Sequence, residues 1–283
     1  MSEEKKQEGC PSEGCAGCSH ASTCQSQKKD FRQPANKYSA VRKVIGVISG
    51  KGGVGKSMVT ASLARLAIEK GYTAGILDAD ITGPSIPKMY GIHEQALGNE
   101  DGMLPREAQD GTKIMSVNLL LEKEDTPVIW RGPIIAGVVT QFWTDVMWGD
   151  VDYLFVDMPP GTGDVPLTVF QSLPVDGVVI VTSPQDLVSM IVKKAYHMAK
   201  DMNIPVLGIV ENFSYLECPD CKKKIEVFGH SHIDEIAKEL EIPVLGKMPI
   251  DPKLSEIVEE ESFFNVKKDY LDKYLDSVEK VFE

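Results

Sequence analysis

Residues 50–57 read Gly-Lys-Gly-Gly-Val-Gly-Lys-Ser; they follow the apolar run Val44-Ile45-Gly46-Val47-Ile48 and open a helical stretch, Met58 to Lys70. Strand, glycine-rich turn and helix in that order form a phosphate-binding loop. Gly50, Gly52, Gly53 and Gly55, with Val54 among them, let the backbone take positive φ and turn successive N–H groups toward an anion. The positive end of the following helix strengthens that field. Lys56 is placed to reach the β- and γ-phosphates and the Ser57 hydroxyl to ligate Mg²⁺. The alternative, a flexible glycine turn, would not need every fixed position filled. The segment is expected to bind a nucleotide.

From Val41 onward, short apolar runs alternate with helical segments. Strands are expected at 44–48, 73–77, 113–118, 152–156, 177–182, 205–210 and 243–247, and helices at 56–70, 134–147, 187–202, 231–239 and 268–282. The alternation predicts an α/β fold, a mostly parallel twisted sheet with helices on both faces. Ligands of such sheets sit at the carboxyl ends of the strands, where the glycine loop falls. Residues 1–38 are polar, lack periodicity and hold four of the six cysteines. They read as a flexible cysteine-containing tail, with a nucleotide-hydrolysing domain over 39–283 and a Cys-x-x-Cys hairpin near 214–228.

Two further segments fall at strand ends. Gly75-Ile76-Leu77-Asp78-Ala79-Asp80 runs into Ile81-Thr82-Gly83-Pro84-Ser85. Asp80 is the candidate to orient the attacking water, and Asp78 to support Mg²⁺ or the loop. Tyr153-Leu154-Phe155-Val156-Asp157 runs into Met158-Pro159-Pro160-Gly161-Thr162-Gly163-Asp164. A strand ending in Asp is the usual second half of a phosphate site, holding Mg²⁺ directly or through water. The Pro-Gly-rich loop after it suits a switch that senses the γ-phosphate. A single Asp at a strand end is as often a turn or helix cap. Three such segments in this chain order favour the functional reading. A third strand end, Glu211-Asn212-Phe213, places Asn212 where an amide could either cap a turn or read a purine.

Charge and hydropathy exclude several classes. The net charge of −12 opposes non-specific nucleic-acid binding and attachment to anionic lipid. No run of about eighteen apolar residues offers a membrane span. The opening MSEEKKQEG lacks an apolar signal core, so the chain is expected to be cytoplasmic. The apolar positions Tyr270, Leu271, Tyr274, Leu275 and Val278 have helical spacing amid acidic residues, which predicts a helix docked on the core.

All six cysteines fall in two groups, Cys10, Cys15, Cys18 and Cys24, then Cys218 and Cys221. Two thiolates separated by two residues fold readily around one metal, and Lys222, Lys223 and Lys224 favour the thiolate form. Two ligands do not complete a site, whereas a symmetric dimer supplies four, bridging one [4Fe–4S] cluster or one Zn²⁺ across its axis. A disulfide is disfavoured by compartment and a redox pair by the expected hairpin setting. Cluster and zinc stay open on the residues alone. The first group, Cys-x₄-Cys-x₂-Cys-x₅-Cys, can close a complete site within one chain.

Lys51 makes the loop Lys-Gly-Gly-x-Gly-Lys-Ser, which resembles the deviant loop of the MinD/ParA/nitrogenase-iron-protein group. There the early lysine reaches the phosphates of a partner subunit, so the resemblance implies a homodimer and a trans-acting cation with the logic of an arginine finger. Within that group the chain resembles the Mrp/ApbC family of iron–sulfur cluster carrier ATPases over about residues 38–265. The marks are 50–57, Asp-Ala-Asp-Ile-Thr-Gly-Pro-Ser at 78–85, Asp-Met-Pro-Pro-Gly-Thr-Gly-Asp at 157–164, Ser-Pro-Gln-Asp at 183–186, Glu-Asn-Phe-Ser at 211–214, Cys-Pro-Asp-Cys at 218–221 and Pro-Ile-Asp-Pro at 249–252. The resemblance implies an ATPase dimer that carries a labile [4Fe–4S] cluster on the paired Cys218 and Cys221 and passes it to apoproteins. It also implies purine binding by Asn212. No Asn-Lys-x-Asp guanine signature is present, so ATP is expected. An N-terminal cysteine cluster resembles the cytosolic scaffold subgroup and implies a possible second cluster on Cys10 to Cys24. The first two tail cysteines are closer together than in the eukaryotic members. The segment after Ser-Pro-Gln-Asp lacks an aspartate of the bacterial ones.

Two other classes compete. A ParA/MinD-like positioning ATPase would show a basic DNA-binding face or a lipid-binding terminal helix. A zinc-stabilised nucleotide-binding adaptor would bind nucleotide without turnover.

Overall fold

In this computed structural model, residues 31–81, 83, 85–121, 132–184 and 188–282 are described. Cys10, Cys15, Cys18 and Cys24 lie outside them. The chain enters through β1 (Ser39–Ser49) and α1 (Lys56–Glu69), then β2 (Ala74–Asp78) and the short α2 (Ile86–Met89). A small hairpin, β3 (Gly98–Asn99) and β4 (Gly102–Met103), precedes β5 (Arg106–Glu107) and β6 (Lys113–Ser116). Next come α3 (Gly132–Thr144), β7 (Gly149–Asp157), α4 (Asp164–Ser172), β8 (Gly177–Thr182), α5 (Val188–Asp201) and β9 (Val206–Glu211). A second hairpin, β10 (Leu216–Glu217) with β11 (Lys224–Ile225), leads to α6 (Ile233–Leu240) and β12 (Val244–Lys247). The chain closes with α7 (Pro252–Glu259), α8 (Lys268–Tyr274) and α9 (Glu279–Phe282).

Eight strands form one sheet in the order β12-β9-β8-β1-β7-β2-β6-β5, parallel except for the edge pair β5/β6. Alternation along β1 sends Ile45 and Val47 to one face and Val44 and Ile48 to the other. The first face is covered by α1, α2 and α7–α9, the second by α3–α6. The expected mostly parallel sheet with two helical layers is therefore the fold.

Register places the chemistry. Val47 pairs with Asp157, Asp78 with Asp157, and Thr182 with Glu211, so the carboxyl ends of β1, β2, β7, β8 and β9 share one edge.

Two expectations need correction. The strand expected over 113–118 ends at Ser116 and passes into a 3₁₀ turn, Val117–Leu120. The helix expected over 268–282 is two helices, because Leu275 leaves the helical region and the chain turns to bond β12. Ser277 N–H donates to Leu245 C=O at 3.1 Å, a tertiary bond that overrides local propensity. Docking of this segment holds: Leu271, Tyr274, Leu275, Val278, Val281 and Phe282 are all buried. Three helices went unread: the single-turn α2, α4 and α7. In α4, Pro166 falls in the first turn, where a missing N–H costs nothing. In α7, Asp251 accepts the Lys253 N–H at 2.9 Å and Pro252 occupies the first turn, a cap signature that Asp-Pro alone could have announced.

Candidate nucleotide site and cysteine hairpin

The glycine loop joins β1 to α1 across the sheet edge. Gly53 and Gly55 both stand at φ 77°, in the left-handed region. A Cβ on Gly55 would lie 2.1 Å from Asn212 Nδ2, and one on Gly50 2.1 Å from Ile191 Cγ2. Backbone freedom and close approach thus both require glycine here. The loop from Gly52 to Met58 lines a cleft of about 330 Å³ with Asp80, Met89, Pro160 and Val258. Pro160, from the expected switch loop, faces Gly52 across it.

Beneath the loop, polar side chains from three elements converge. Lys56 is only 6% exposed, and its Nζ stands 2.8 Å from Asp157 Oδ1 and 3.6 Å from Asp80 Oδ2. Two carboxylates thus already hold the buried ammonium at the floor of the cleft. Ser57 Oγ donates to Asp157 Oδ2 at 2.6 Å. Thr60 Oγ1 lies 2.8 Å from Asp157 Oδ1 and 3.0 Å from Lys56 C=O. A buried lysine ammonium at the cleft floor, a serine hydroxyl on a carboxylate and a glycine nest fit a magnesium-bound polyphosphate.

Asp80 lines the cleft with its side chain 15% exposed, whereas Asp78 is buried below it. Asp78 accepts from Ser116 Oγ at 3.1 Å and from the Asp80 N–H at 3.2 Å. It therefore supports the loop that carries Asp80. Burial, and then the neighbouring Asp157 carboxylate, push its pKa well above the usual carboxylate range.

Asn212 is buried, and its Nδ2 donates to Val54 C=O at 3.1 Å, bracing the loop from behind. Its Oδ1 has no partner among the described residues. Lys51 is half-buried on the loop and is not one of the residues that line this cleft.

The second cysteine group sits at the turn of the β10/β11 hairpin. Cys218 N–H donates to Lys223 C=O at 3.0 Å and Lys222 N–H returns to Cys218 C=O at 3.0 Å, with Lys222 at φ 61°. Neither thiol is in a disulfide; Cys221 is exposed and Cys218 half-buried. The Cys221 N–H, then the Asp220 N–H and the Cys221 thiol, lower the Cys218 pKa. Among the described residues no third Cys, His, Asp or Glu joins them in a metal-ligating group. One chain offers this site two ligands.

Comparison with known proteins fits both halves. The family model of ParA-type "NUBPL iron-transfer P-loop NTPase" proteins matches residues 40–282. The chain belongs to this family. An iron-sulfur cluster carrier protein from Clostridium perfringens is 47% identical over 260 residues, 87% of this chain and 91% of that one. A Methanocaldococcus jannaschii protein of the same name is 46% identical over 86% of each chain. The cytosolic Fe-S cluster assembly factor CFD1 of Candida glabrata is 38% identical over 80% of this chain and 82% of its own. Among solved structures, a nucleotide-binding protein from Archaeoglobus fulgidus in complex with ADP superposes with a TM-score of 0.74 at 40% identity, covering 82% of this chain and 91% of that one. The cell division ATPase MinD of Pyrococcus furiosus shares the fold, with a TM-score of 0.61 at 19% identity over 85% and 98%.

Within this P-loop NTPase fold, Lys56, Ser57, Asp80 and Asp157 come together at the cleft, and Cys218 and Cys221 share one turn. Thr60 and Ser116 were missed. Thr60 lies one helical turn beyond Lys56, a spacing that could have flagged it. Ser116 reaches Asp78 across 38 residues of sequence, with no local signal.

Proposed function

We propose that this chain is a cytoplasmic, ATP-dependent iron–sulfur cluster carrier that acts as a homodimer and delivers its cargo to apoproteins. The observation that carries this reading is the Cys218/Cys221 turn, two thiols of one chain without further ligands among the described residues, in a chain that also carries a phosphate loop. Two copies together supply four thiolates, the set a [4Fe–4S] cluster takes. The names of the relatives above support cluster carriage, and the Candida glabrata relative's name supports the cytosol.

In this reading the N–H groups of Gly50 to Gly55 cradle the phosphates, and Lys56 neutralises charge at the β/γ bridge. Ser57 and Asp157 hold Mg²⁺, which would supply Lewis-acid stabilisation of the phosphoryl group. Asp80, exposed to the cleft, orients the attacking water. Lys51 acts on the nucleotide of the partner subunit, which agrees with its absence from the lining of its own cleft. The unpartnered Asn212 Oδ1 is an acceptor for the adenine amino group, and guanine offers no donor there. Cys10, Cys15, Cys18 and Cys24 form a second site within one chain.

The test is iron and acid-labile sulfide on anaerobically reconstituted protein whose four tail cysteines are serine, followed by transfer to an apo-ferredoxin. About four iron and four sulfide per pair of chains are expected, with both loading and transfer lost in Cys218→Ala/Cys221→Ala. Unchanged loading in that variant, or stoichiometric zinc without sulfide, contradicts the proposal.

A further inference from the structure

Two consecutive residues at the end of β9 face the two centres separately. Asn212 grips the nucleotide loop through Val54 C=O and packs against Gly55, while its own N–H donates to Thr182 C=O at 2.8 Å in the sheet. Glu211, 1% exposed, turns to the other side. Its Oε2 accepts from Ser214 Oγ at 2.6 Å and its Oε1 from Ser231 Oγ at 2.7 Å. Ser214 precedes β10 and Ser231 follows β11, so one carboxylate closes the neck of the segment that carries Cys218 and Cys221. Ser231 Oγ also accepts the Ile233 N–H at 3.2 Å, fixing the start of α6.

No ion pair neutralises Glu211 among the described residues. A carboxylate held in the interior by two hydroxyls alone is an expensive way to close a loop that apolar packing could close. Phe213, next to this pair, stands at φ 58°, uncommon for a bulky side chain and typical of places where backbone strain is retained. Backbone bonds also tie the base of this segment to the fold, Ser214 N–H to Met248 C=O at 2.8 Å and Ile250 N–H to Tyr215 C=O at 2.7 Å, whereas the ion pair at the hairpin itself, Glu217 to Lys273 at 3.7 Å, is partly exposed and correspondingly weak.

We infer that Glu211 is a positioning residue that couples the two centres: displacement of Asn212 when nucleotide fills the loop is passed through Glu211 to Ser214 and Ser231, resetting the Cys218/Cys221 turn. The inference deepens the proposed function. It rests on reading residues 50–57 as the nucleotide site and the hairpin as the cargo site, but its test needs no iron.

The test is the alkylation rate of Cys218 and Cys221 in metal-free full-length protein, resolved from the tail cysteines by peptide mapping. Rates are compared with and without saturating Mg²⁺ and a non-hydrolysable ATP analogue. A nucleotide-induced change of about 5-fold or more is expected in the native protein, the lower bound of ordinary site–site coupling. Glu211→Gln keeps the shape of the side chain and should bring that ratio close to one with analogue affinity unchanged. Ser231→Ala, which leaves Ser214 in place, should reduce the ratio partially, and it decides the matter if Glu211→Gln does not fold. A purely structural Glu211 would shift both rates by the same factor and preserve the ratio. That result, or no nucleotide response in the native protein, overturns the inference. A preserved response in a protein that loads no cluster would instead leave the coupling standing and remove the carrier reading.

Discussion

At the sheet edge, Lys56, Ser57 and Thr60 from α1 meet Asp157 from β7, 97 to 100 residues away for the two hydroxyls, and Asp78 and Ser116 brace them from below. Every one of these contacts is wholly or partly buried, and Asp157 is held by three side chains at once. The cysteine turn is the reverse. It rests on two strands of two residues each, its thiols reach solvent, and Ile225, Val227 and Phe228 beside it are exposed. A preorganised electrostatic site gains from rigidity, because its dipoles need no rearrangement when charge develops. A site that must take on and surrender cargo gains from an accessible turn whose ligand set is completed from outside the chain.

Substitutions can break or sharpen that contrast. The largest effect is expected from Lys51→Ala, which should lower ATP turnover about 10³-fold, as loss of a trans-acting cation does. Calorimetric ATP affinity should barely change, and equal loss of both would put Lys51 in its own subunit's site. Lys56→Ala removes the buried cation itself. It should lower turnover about 10²–10³-fold, with weakened binding as well, while zinc or iron uptake by the hairpin in nucleotide-free protein stays as it was.

Backbone strain provides a subtler comparison. Gly55→Ala places a side chain at φ 77° against Asn212 and should cost about 1–2 kcal/mol or more, a fall in Tm of at least about 2–4 °C. Lys222→Gly relieves the corresponding left-handed residue of the hairpin, where an exposed position should move stability by no more than about 0.5 kcal/mol. Equal shifts would erase the proposed difference in rigidity.

The smallest effect concerns Asp78. Its folded-state pKa is raised, by burial first and by Asp157 second, so the folded protein holds that proton more tightly than the unfolded chain. The contribution to stability is fully present below the unfolded value of about 3.9 and is lost as pH rises through the folded value. Asp78→Asn cannot ionise. Its Tm relative to the native protein should rise at neutral pH, and the gain should shrink as pH is lowered toward the unfolded pKa. A pH-independent difference would mean that Asp78 is not a buried charge penalty.

The sequence exposed whatever is encoded locally. The loop at 50–57 is one continuous motif, and Asp78 and Asp157 end strands whose apolar runs are unmistakable, with Asp80 two residues on. The eight-stranded sheet followed from alternation alone, except for its two-residue edge strand β5, too short to have a period. Where contacts span long stretches of chain, legibility failed. Nothing near Leu275 signals that its neighbours will bond β12, and nothing near Ser231 signals a carboxylate twenty residues earlier. Glu211 stands in a recognisable family mark, yet its role appears only when the hairpin folds back over it. Asn212 was a two-way choice between turn cap and purine contact, and the structure adds a brace on Val54 with one acceptor to spare.

The central claim is that cargo sits between two chains, on Cys218 and Cys221 of each. Native mass spectrometry of the anaerobically reconstituted protein, with the tail cysteines replaced by serine, tests it directly. A dimer carrying the mass of one [4Fe–4S] cluster is expected, and a Cys221→Ala variant without it. A cluster or metal ion on each isolated monomer, surviving without the dimer, would contradict it.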